Sequence, residues 1–230
     1  MKWWQEAGVD TIVADEPRSW LEAAKPRSGE MNTAKPPNAE AAAPQALSLP
    51  ADIGELREWM MSTDMIAGSA AERLDATGDP ASGLMILVDM PERGDSAAGT
   101  LLSGDAGLLF DRMLAAMGRD RASTYIAALC PARIAGGAID ETMLDILSQV
   151  ARRHVALAAP SQLIVMGDAP SRVFCGASLD ESRGSQHYLN HDGGNVPVTA
   201  TFHPRFLLKQ PRLKAHSWQD LQMVIEGMTA

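Results

Sequence analysis

The sequence predicts an α/β protein, a three-layer α/β/α sandwich built on a mainly parallel central sheet of about four strands. Two observations support this fold class. Short runs such as 83–88 and 162–166 are apolar throughout, as strands buried on both faces of a parallel sheet are. Segments with helical periodicity separate these runs. Regular alternation of strand and helix is typical of a parallel sheet covered by helices on both sides.

Local patterns place the individual elements. Strands are expected at about 83–88, 124–129, 162–166 and 196–202. Helices are expected at about 52–62, 105–117, 140–157 and 170–175. The sequence Asp192-Gly193-Gly194 predicts a hairpin turn just before the last strand. Ligands of such sheets bind beyond the carboxyl ends of the strands, so the loops that follow the strands are where a site is expected.

The chain divides into three predicted parts. Residues 1–22 are rich in tryptophan and are predicted to form an N-terminal helical segment that contacts a protein partner. Residues 23–50 are rich in proline and alanine, which predicts a flexible linker. Residues 51–230 then form one α/β domain, for which this length is sufficient.

The composition excludes some classes of function. A formal net charge of -9 argues against a protein that coats nucleic acid nonspecifically, although it leaves room for one basic groove. No apolar run reaches the roughly 18 residues that a membrane-spanning helix needs. The N-terminus lacks the long apolar region of a signal peptide. A cytoplasmic protein without membrane contact is the default expectation.

The charge of one segment runs against that of the chain. Residues 199–214 contain four lysines and arginines and no acid. A local excess of positive charge on an acidic protein is typical of a binding site for an anion. An ordinary strand followed by a solvated basic face would have the same composition. Within this segment a β-prone run delivers His203 to a rigid turn at Pro204.

Together with the motifs upstream, this segment resembles the last motif of uracil-DNA glycosylases, in particular the branch that carries an iron–sulfur cluster. In that family a His-Pro loop and a basic turn precede a helix with Trp and Asp-Leu. The corresponding helix here is Ser217-Trp218-Gln219-Asp220-Leu221, with Ser217 and Asp220 at capping-box spacing. The resemblance covers most of residues 53–225. It implies a protein that removes uracil from DNA.

The resemblance also implies the catalytic roles. His203 would donate a hydrogen bond to the uracil oxygen as the base departs. Asp89 takes the place of the family's glutamate, one methylene shorter, and would orient water or stabilise the sugar cation. From the residues alone, a structural histidine at position 203 and a capping carboxylate at position 89 remain alternatives.

The predicted base pocket contains Pro91, Leu102 and Ala128, and its motifs depart from the family pattern. Leu102 stands where relatives have a phenylalanine that stacks on uracil, and Ala128 stands where they have an asparagine that binds the base edge. Val88 and Glu92 replace the glycines that flank the first motif. Loss of stacking and of a polar reader predicts weaker discrimination between bases.

The basic loop is expected to contact DNA. One of Phe206 and Leu207 is expected to wedge into the space that the flipped base leaves, while the other anchors the loop in the core. The predicted DNA-binding residues are therefore Phe206 and Leu207, together with the cationic residues Arg133, Arg205, Lys209, Arg212 and Lys214.

No cofactor is expected, although relatives carry an iron–sulfur cluster. The chain has two cysteines, Cys130 and Cys175, whereas a typical cluster needs four thiolates. No metal site is expected either, because His154, His187 and His191 lack a third ligand at a suitable spacing. His154 is instead expected on a solvated helix face, and the other two near a hairpin.

Two functions therefore stand side by side. The first is a uracil-DNA glycosylase of base-excision repair that uses His203 and Asp89. The second is a catalytically degenerate family member that acts as a DNA-binding or protein-interaction module. The predicted scaffold strands and the His203 loop indicate shared ancestry, whereas the changes at Glu92, Leu102 and Ala128 favour the second function.

Overall fold

The computed structural model describes residues 47–191 and 194–229, in which there are five strands and eight α-helices. The strands are β1 (Leu84–Val88), β2 (Tyr125–Ala128), β3 (Gln162–Met166), β4 (Gln186–His191) and β5 (Gly194–Thr201). The helices are α1 (Ile53–Ser62), α2 (Asp95–Ala98), α3 (Gly104–Ala116), α4 (Glu141–Ala158), α5 (Asp168–Cys175), α6 (Leu179–Ser182), α7 (Pro204–Lys209) and α8 (Lys214–Thr229). The predicted segment 1–22 and most of the predicted linker 23–50 lie outside the described residues.

The five strands form one sheet in the order β2-β1-β3-β5-β4. Strands β2, β1, β3 and β5 are parallel to one another, whereas β4 pairs antiparallel with β5 at the edge. The predicted mixed α/β fold is confirmed. The sheet has one strand more than expected, because both arms of the predicted hairpin join it.

Helices cover both faces of the sheet, as the all-apolar strands predict. Successive side chains of β1 point to opposite faces. Leu87 lies in the apolar layer that contains Leu147 of α4, and Ile86 lies in the other, with Phe110 of α3 and Leu221 of α8. No helix in the described part of the chain is both long enough and apolar enough to cross a membrane.

Capping side chains define where two helices begin. Asp52 accepts hydrogen bonds from the backbone N–H groups of Gly54 and Glu55 at the start of α1. Asp140 accepts one from Met143 at the start of α4. Such caps satisfy N–H groups that have no partner within the helix, which is why both starts could be predicted closely.

The helix that follows β1 and the helix that follows β3 pack on opposite faces of the sheet. The chain leaves β1 toward α3 on one face of the sheet, whereas it leaves β3 toward α5 on the other. A crevice opens at such a switch point, beyond the carboxyl ends of the two strands. Its walls here begin at Asp89, directly after β1, and Gly167, directly after β3.

The prediction for His154 is wrong. This residue is 2% exposed and lies on the buried side of α4, with Nε2 2.7 Å from the hydroxyl oxygen of Tyr125. The two arginines before it suggested a solvated face. Helical periodicity instead aligns position 154 with Val150 and Ala151, which are both buried.

The predicted capping box at Ser217 and Asp220 is also wrong. Helix α8 begins at Lys214, so both residues lie inside the helix. Their side chains are buried and bind the last residue of β5 instead: Oγ1 of Thr201 is 2.8 Å from Oγ of Ser217 and donates to Oδ2 of Asp220 at 2.8 Å. The spacing is that of a cap, but the preceding turn starts the helix earlier.

Candidate active site

The loops that follow β1 and β5 meet beyond the sheet. Asp89 is the first residue after β1, and His203 is the second after β5. Nε2 of His203 lies 3.8 Å from Oδ1 of Asp89. The structure therefore brings together the two residues for which the sequence predicts catalytic roles.

Local backbone contacts fix the ring of His203. The residue is the N-cap of α7, and its Nδ1 accepts a hydrogen bond from the backbone N–H of Arg205 at 3.2 Å. Because Nδ1 is an acceptor, the neutral ring carries its proton on Nε2. The side chain is 4% exposed, and Nε2 has no hydrogen-bond partner among the described residues. A buried donor without a partner is unusual, and a bound ligand or water can supply the missing acceptor.

A guanidinium group lies between two carboxylates beside this ring. Nη1 of Arg205 is 2.7 Å from Oε1 of Glu92, and Nη2 is 3.4 Å from Oδ2 of Asp89. The same Glu92 oxygen lies 3.6 Å from Nδ1 of His203. The four side chains form one cluster in which each carboxylate faces both the guanidinium and the imidazole.

Burial determines the protonation of His203. It lowers the pKa of the imidazole below its ordinary value, while the charges of Asp89 and Glu92 oppose the shift. The neutral ring is therefore the dominant form at pH 7. A neutral Nε2–H donates a hydrogen bond to a negative oxygen without first having to lose a proton.

A cavity of about 330 Å³ lies against this cluster. Its polar lining comes from Asp89, Asp168, Asp180, His203 and Arg205, and Phe202 and Phe206 supply aromatic surface. The two phenylalanine rings are 5.5 Å apart. A volume of this size is at the lower end of the range for pockets that bind small molecules, and an aromatic lining with a few polar groups suits a flat heterocycle.

A fully buried carboxylate holds the loop after β1 in shape. Asp95 is 0% exposed and accepts hydrogen bonds from the backbone N–H groups of Glu92, Leu102 and Ser103 and from the Ser103 hydroxyl. Four donors compensate one buried negative charge. The sequence analysis assigned no role to Asp95, which nevertheless fixes the backbone that carries Glu92.

A second buried network supports the end of β5. Arg183 is bonded to Asp220 at 2.8 Å, and its guanidinium lies 3.9 Å from the centre of the Phe202 ring. Asp220 in turn accepts from Thr201, two residues before His203. These contacts tie α8 and the residue after α6 to the strand end that presents the imidazole. Sequence reasoning missed Arg183, which no local motif marks.

Pro91, Leu102 and Ala128, the predicted base-pocket residues, are all buried. They are not among the residues that line the cavity beside His203. Leu102 and Ala128 pack instead in the apolar layer on the α3 side of the sheet. The assignment of these three residues to a base pocket stays a prediction.

The predicted DNA-binding residues lie in different surroundings. Phe206 is 40% exposed, whereas Leu207 is 1% exposed and anchors α7 in the core. Arg133 is half-buried and donates to the backbone carbonyl of Pro91 at 2.9 Å. The cations Lys209, Arg212 and Lys214 are exposed.

A family model supplies the decisive comparison. The model of the uracil DNA glycosylase superfamily matches residues 76–222, more than half of the chain. This chain belongs to the uracil DNA glycosylase superfamily. The matched region includes all five strands, the loop with Asp89 and the loop with His203.

The side chains of this chain do not fit the iron–sulfur cluster that one branch of the glycosylases carries. The chain contains two cysteines, and both are free. Cys130 is buried after β2, where its Sγ lies 3.9 Å from the backbone oxygen of Ala67. Four thiolates are required. Within the described residues, no group of three or more His, Cys, Asp or Glu side chains is arranged to hold a metal ion.

Proposed function

We propose that this protein is a DNA N-glycosylase of base-excision repair that flips uracil out of the stack and hydrolyses its N-glycosidic bond. The observation that carries the proposal is the buried, neutral imidazole of His203. Its Nε2–H lies 3.8 Å from the Asp89 carboxylate and lacks a hydrogen-bond partner among the described residues. Membership of the superfamily supports the same reaction class.

The two side chains act on opposite charges of the transition state. As the bond between C1′ and N1 lengthens, positive charge develops on the sugar and negative charge on uracil. The Nε2–H of His203 donates to the uracil oxygen on which negative charge accumulates, and a donor placed in this way is worth about 10²–10³ in rate. The bonding electrons leave with the base as its anion.

Asp89 acts on the sugar side. Its carboxylate orients a water molecule toward C1′ and accepts a proton from it as the C–O bond forms, a role worth about 10²–10⁴ in rate. The uracil anion takes up a proton from solvent and Asp89 releases its proton to solvent, so the products are free uracil and an abasic site. Arg205, whose Nη2 lies 3.4 Å from Oδ2 of Asp89, fixes the position of this carboxylate.

The flipped base enters the cavity beside His203. Extrusion is required because the glycosidic bond is not accessible within the stack. Phe206, which lines this cavity and is 40% exposed, offers a ring face to the base or to the gap that the base leaves. The exposed cations Lys209 and Arg212 contact the phosphates on either side.

A fluorescent single-stranded oligonucleotide with one deoxyuridine tests the proposal. After incubation with the protein, alkali converts each abasic site into a strand break. We expect scission by the wild type and a loss of at least 10²-fold in rate for His203→Ala. His187→Ala is the matched control, because His187 lies on β4 and contacts the backbone oxygen of Ser182. Equal rates for the wild type and His203→Ala would refute the assignment.

A DNA-binding protein without glycosylase activity is the second candidate. One observation favours it: Glu92 forms an ion pair with Arg205, which a DNA phosphate would have to displace. This candidate predicts that the wild type retains the oligonucleotide on a filter but produces no alkali-sensitive site at any incubation time.

A further inference from the structure

An apolar groove lies between α3 and α8, outside the catalytic cluster. Its volume is about 200 Å³, and its lining includes Leu109 and Met113 of α3, Leu207 of α7 and Trp218 of α8. The Trp218 side chain is exposed to 39%, which is unusual for the largest apolar residue of a helix. Ser217, the polar neighbour of Trp218, is already bonded to Thr201. The floor of the groove is therefore apolar and presents few polar groups that a ligand could bind.

Two unpaired cations flank this surface. Arg112 of α3 and Lys214 of α8 also line the groove and are exposed. In the part of the chain that the structure describes, neither is paired with a carboxylate. Lys209 ends α7 and Arg212 lies just before α8, and both are likewise exposed. On a chain of net charge -9, this is a local concentration of positive charge.

An exposed aromatic ring beside cations has a defined ligand chemistry. Single-stranded nucleic acids are bound by rings on which bases stack and by cations that follow the phosphates. Base stacking tolerates any sequence because every base has a π face. A protein partner would have to bring acidic side chains to Arg112 and Lys214, whereas every nucleotide brings a negative phosphate.

One short helix, α7, takes part in both the groove and the cluster around His203. Leu207, which lines the groove, donates its backbone N–H to the carbonyl oxygen of His203 within α7. Helix α7 thus contributes both to the groove and to the site at which a bound strand would present its flipped nucleotide to His203. We propose that the groove binds one unpaired nucleotide of that strand, with its base stacked on Trp218 and its phosphates on Arg112 and Lys214. This inference rests on the proposed DNA-glycosylase function.

Binding of a labelled single-stranded oligonucleotide without uracil tests the groove independently of catalysis. Fluorescence anisotropy of the full-length protein over a salt series gives both the affinity and its salt dependence. We expect Trp218→Ala to weaken binding by roughly 5- to 100-fold and Trp218→Phe to retain most of the affinity. Arg112→Gln and Lys214→Gln should each reduce the salt slope by about 0.7. Tyr188→Ala is the control, since Tyr188 is an exposed aromatic on the edge strand β4.

The outcomes separate the groove from the catalytic proposal. Affinity that depends on Trp218, without release of uracil from a deoxyuridine oligonucleotide, supports the groove and removes the glycosylase. Release of uracil by a protein whose Trp218→Ala variant binds like the wild type removes the groove alone. Self-association that Trp218→Ala abolishes, with unchanged DNA affinity, would assign the groove to a second copy and overturn the inference.

Discussion

The carboxylate of Glu92 holds the guanidinium of Arg205, with 2.7 Å between Oε1 and Nη1. The Glu92 side chain is 13% exposed and that of Arg205 35%, so water screens the pair only in part. The same guanidinium reaches Asp89. A DNA phosphate must therefore compete with two carboxylates for a cation that the sequence predicts to be a DNA contact.

We expect Glu92→Gln to strengthen DNA binding. Loss of the charge releases Arg205 to a phosphate, which should tighten binding by about 2- to 5-fold, the worth of a partly exposed ion pair. The salt slope should steepen by about 0.7. Anisotropy with a uracil-free single-stranded oligonucleotide measures both quantities. The gain should vanish when Arg205→Gln is added, because the effect passes through that side chain.

Asp180→Asn is the matched control for this prediction. Asp180 lines the cavity beside His203 and is exposed. Its replacement removes the same charge from the same region without releasing Arg205. An equal gain in affinity for both variants would show that the general field, and not the ion pair, limits binding.

We expect Asp95→Asn to destabilise the protein strongly. The amide has one oxygen for the four donors that now reach the carboxylate, and its NH₂ group would face backbone N–H groups. Loss of hydrogen bonds to a buried charge predicts a decrease of about 3 kcal/mol or more in the free energy of unfolding. Urea denaturation measures it. Ser96→Ala, on the exposed neighbour in α2, should change stability by less than about 0.5 kcal/mol.

The sequence predicts the scaffold, and it places Asp89 and His203 at one edge of the sheet. Both predictions depend on the regular alternation of apolar strands and helices. Buried parallel strands are apolar throughout, and their carboxyl ends meet at one edge of the sheet. Asp89, the first residue after β1, and His203, the second after β5, are therefore expected at the same edge, although β3 lies between the two strands. The resemblance to the glycosylase family supplied their joint role, and the strand order became known only from the structure.

The role of Glu92 was not predictable in the same way. The motif comparison shows only that an acid stands where the family has a glycine. Its partner Arg205 lies in α7, far from Glu92 in sequence, and only the folded geometry brings the two charges to 2.7 Å. The prediction of a solvated position for His154 is wrong for a related reason. The two arginines before it indicate a solvent-facing surface, whereas the helical periodicity aligns it with buried residues.

We expect the buried His154 to make stability depend on pH. Burial lowers the pKa of His154 to about 4, and the positive charge of Arg57 adds to the shift. Above the unfolded pKa of about 6.5 the ring is neutral in both states. As the pH falls from 6.5 toward 4, the unfolded chain takes up a proton that the folded protein excludes. The free energy of unfolding should then fall by about 1.4 kcal/mol per pH unit.

Urea midpoints at pH 7.5 and pH 5 measure this dependence. A His154→Gln variant keeps a polar group beside Tyr125 but cannot titrate. It should be less stable than the wild type at pH 7.5 and should lose less stability on acidification. An identical pH slope for both proteins would show that other groups determine the acid sensitivity.

We expect Gly107→Ala to destabilise the protein although the residue lies within helix α3. Helix propensity alone predicts that alanine stabilises such a position by about 1 kcal/mol. A Cβ atom at Gly107, however, would lie 1.9 Å from the carbonyl oxygen of Leu102. That oxygen accepts a hydrogen bond from Arg121 at 2.7 Å, and Leu102 itself has a φ of 55°. If the loop before α3 moved away from the new Cβ atom, it would break this hydrogen bond to Arg121.

The sign of the stability change therefore distinguishes propensity from packing. Overpacking against the backbone predicts a loss of about 2 kcal/mol or more in the free energy of unfolding, measured by urea denaturation. Gly104→Ala in the same helix is the control. A Cβ there meets no atom within 4 Å, and the φ of 60° is its one source of strain, so a loss of about 1 kcal/mol is expected. A Gly107→Ala protein more stable than the wild type would show that the loop carrying Leu102 yields readily, and its backbone would then be free to rearrange around a bound base.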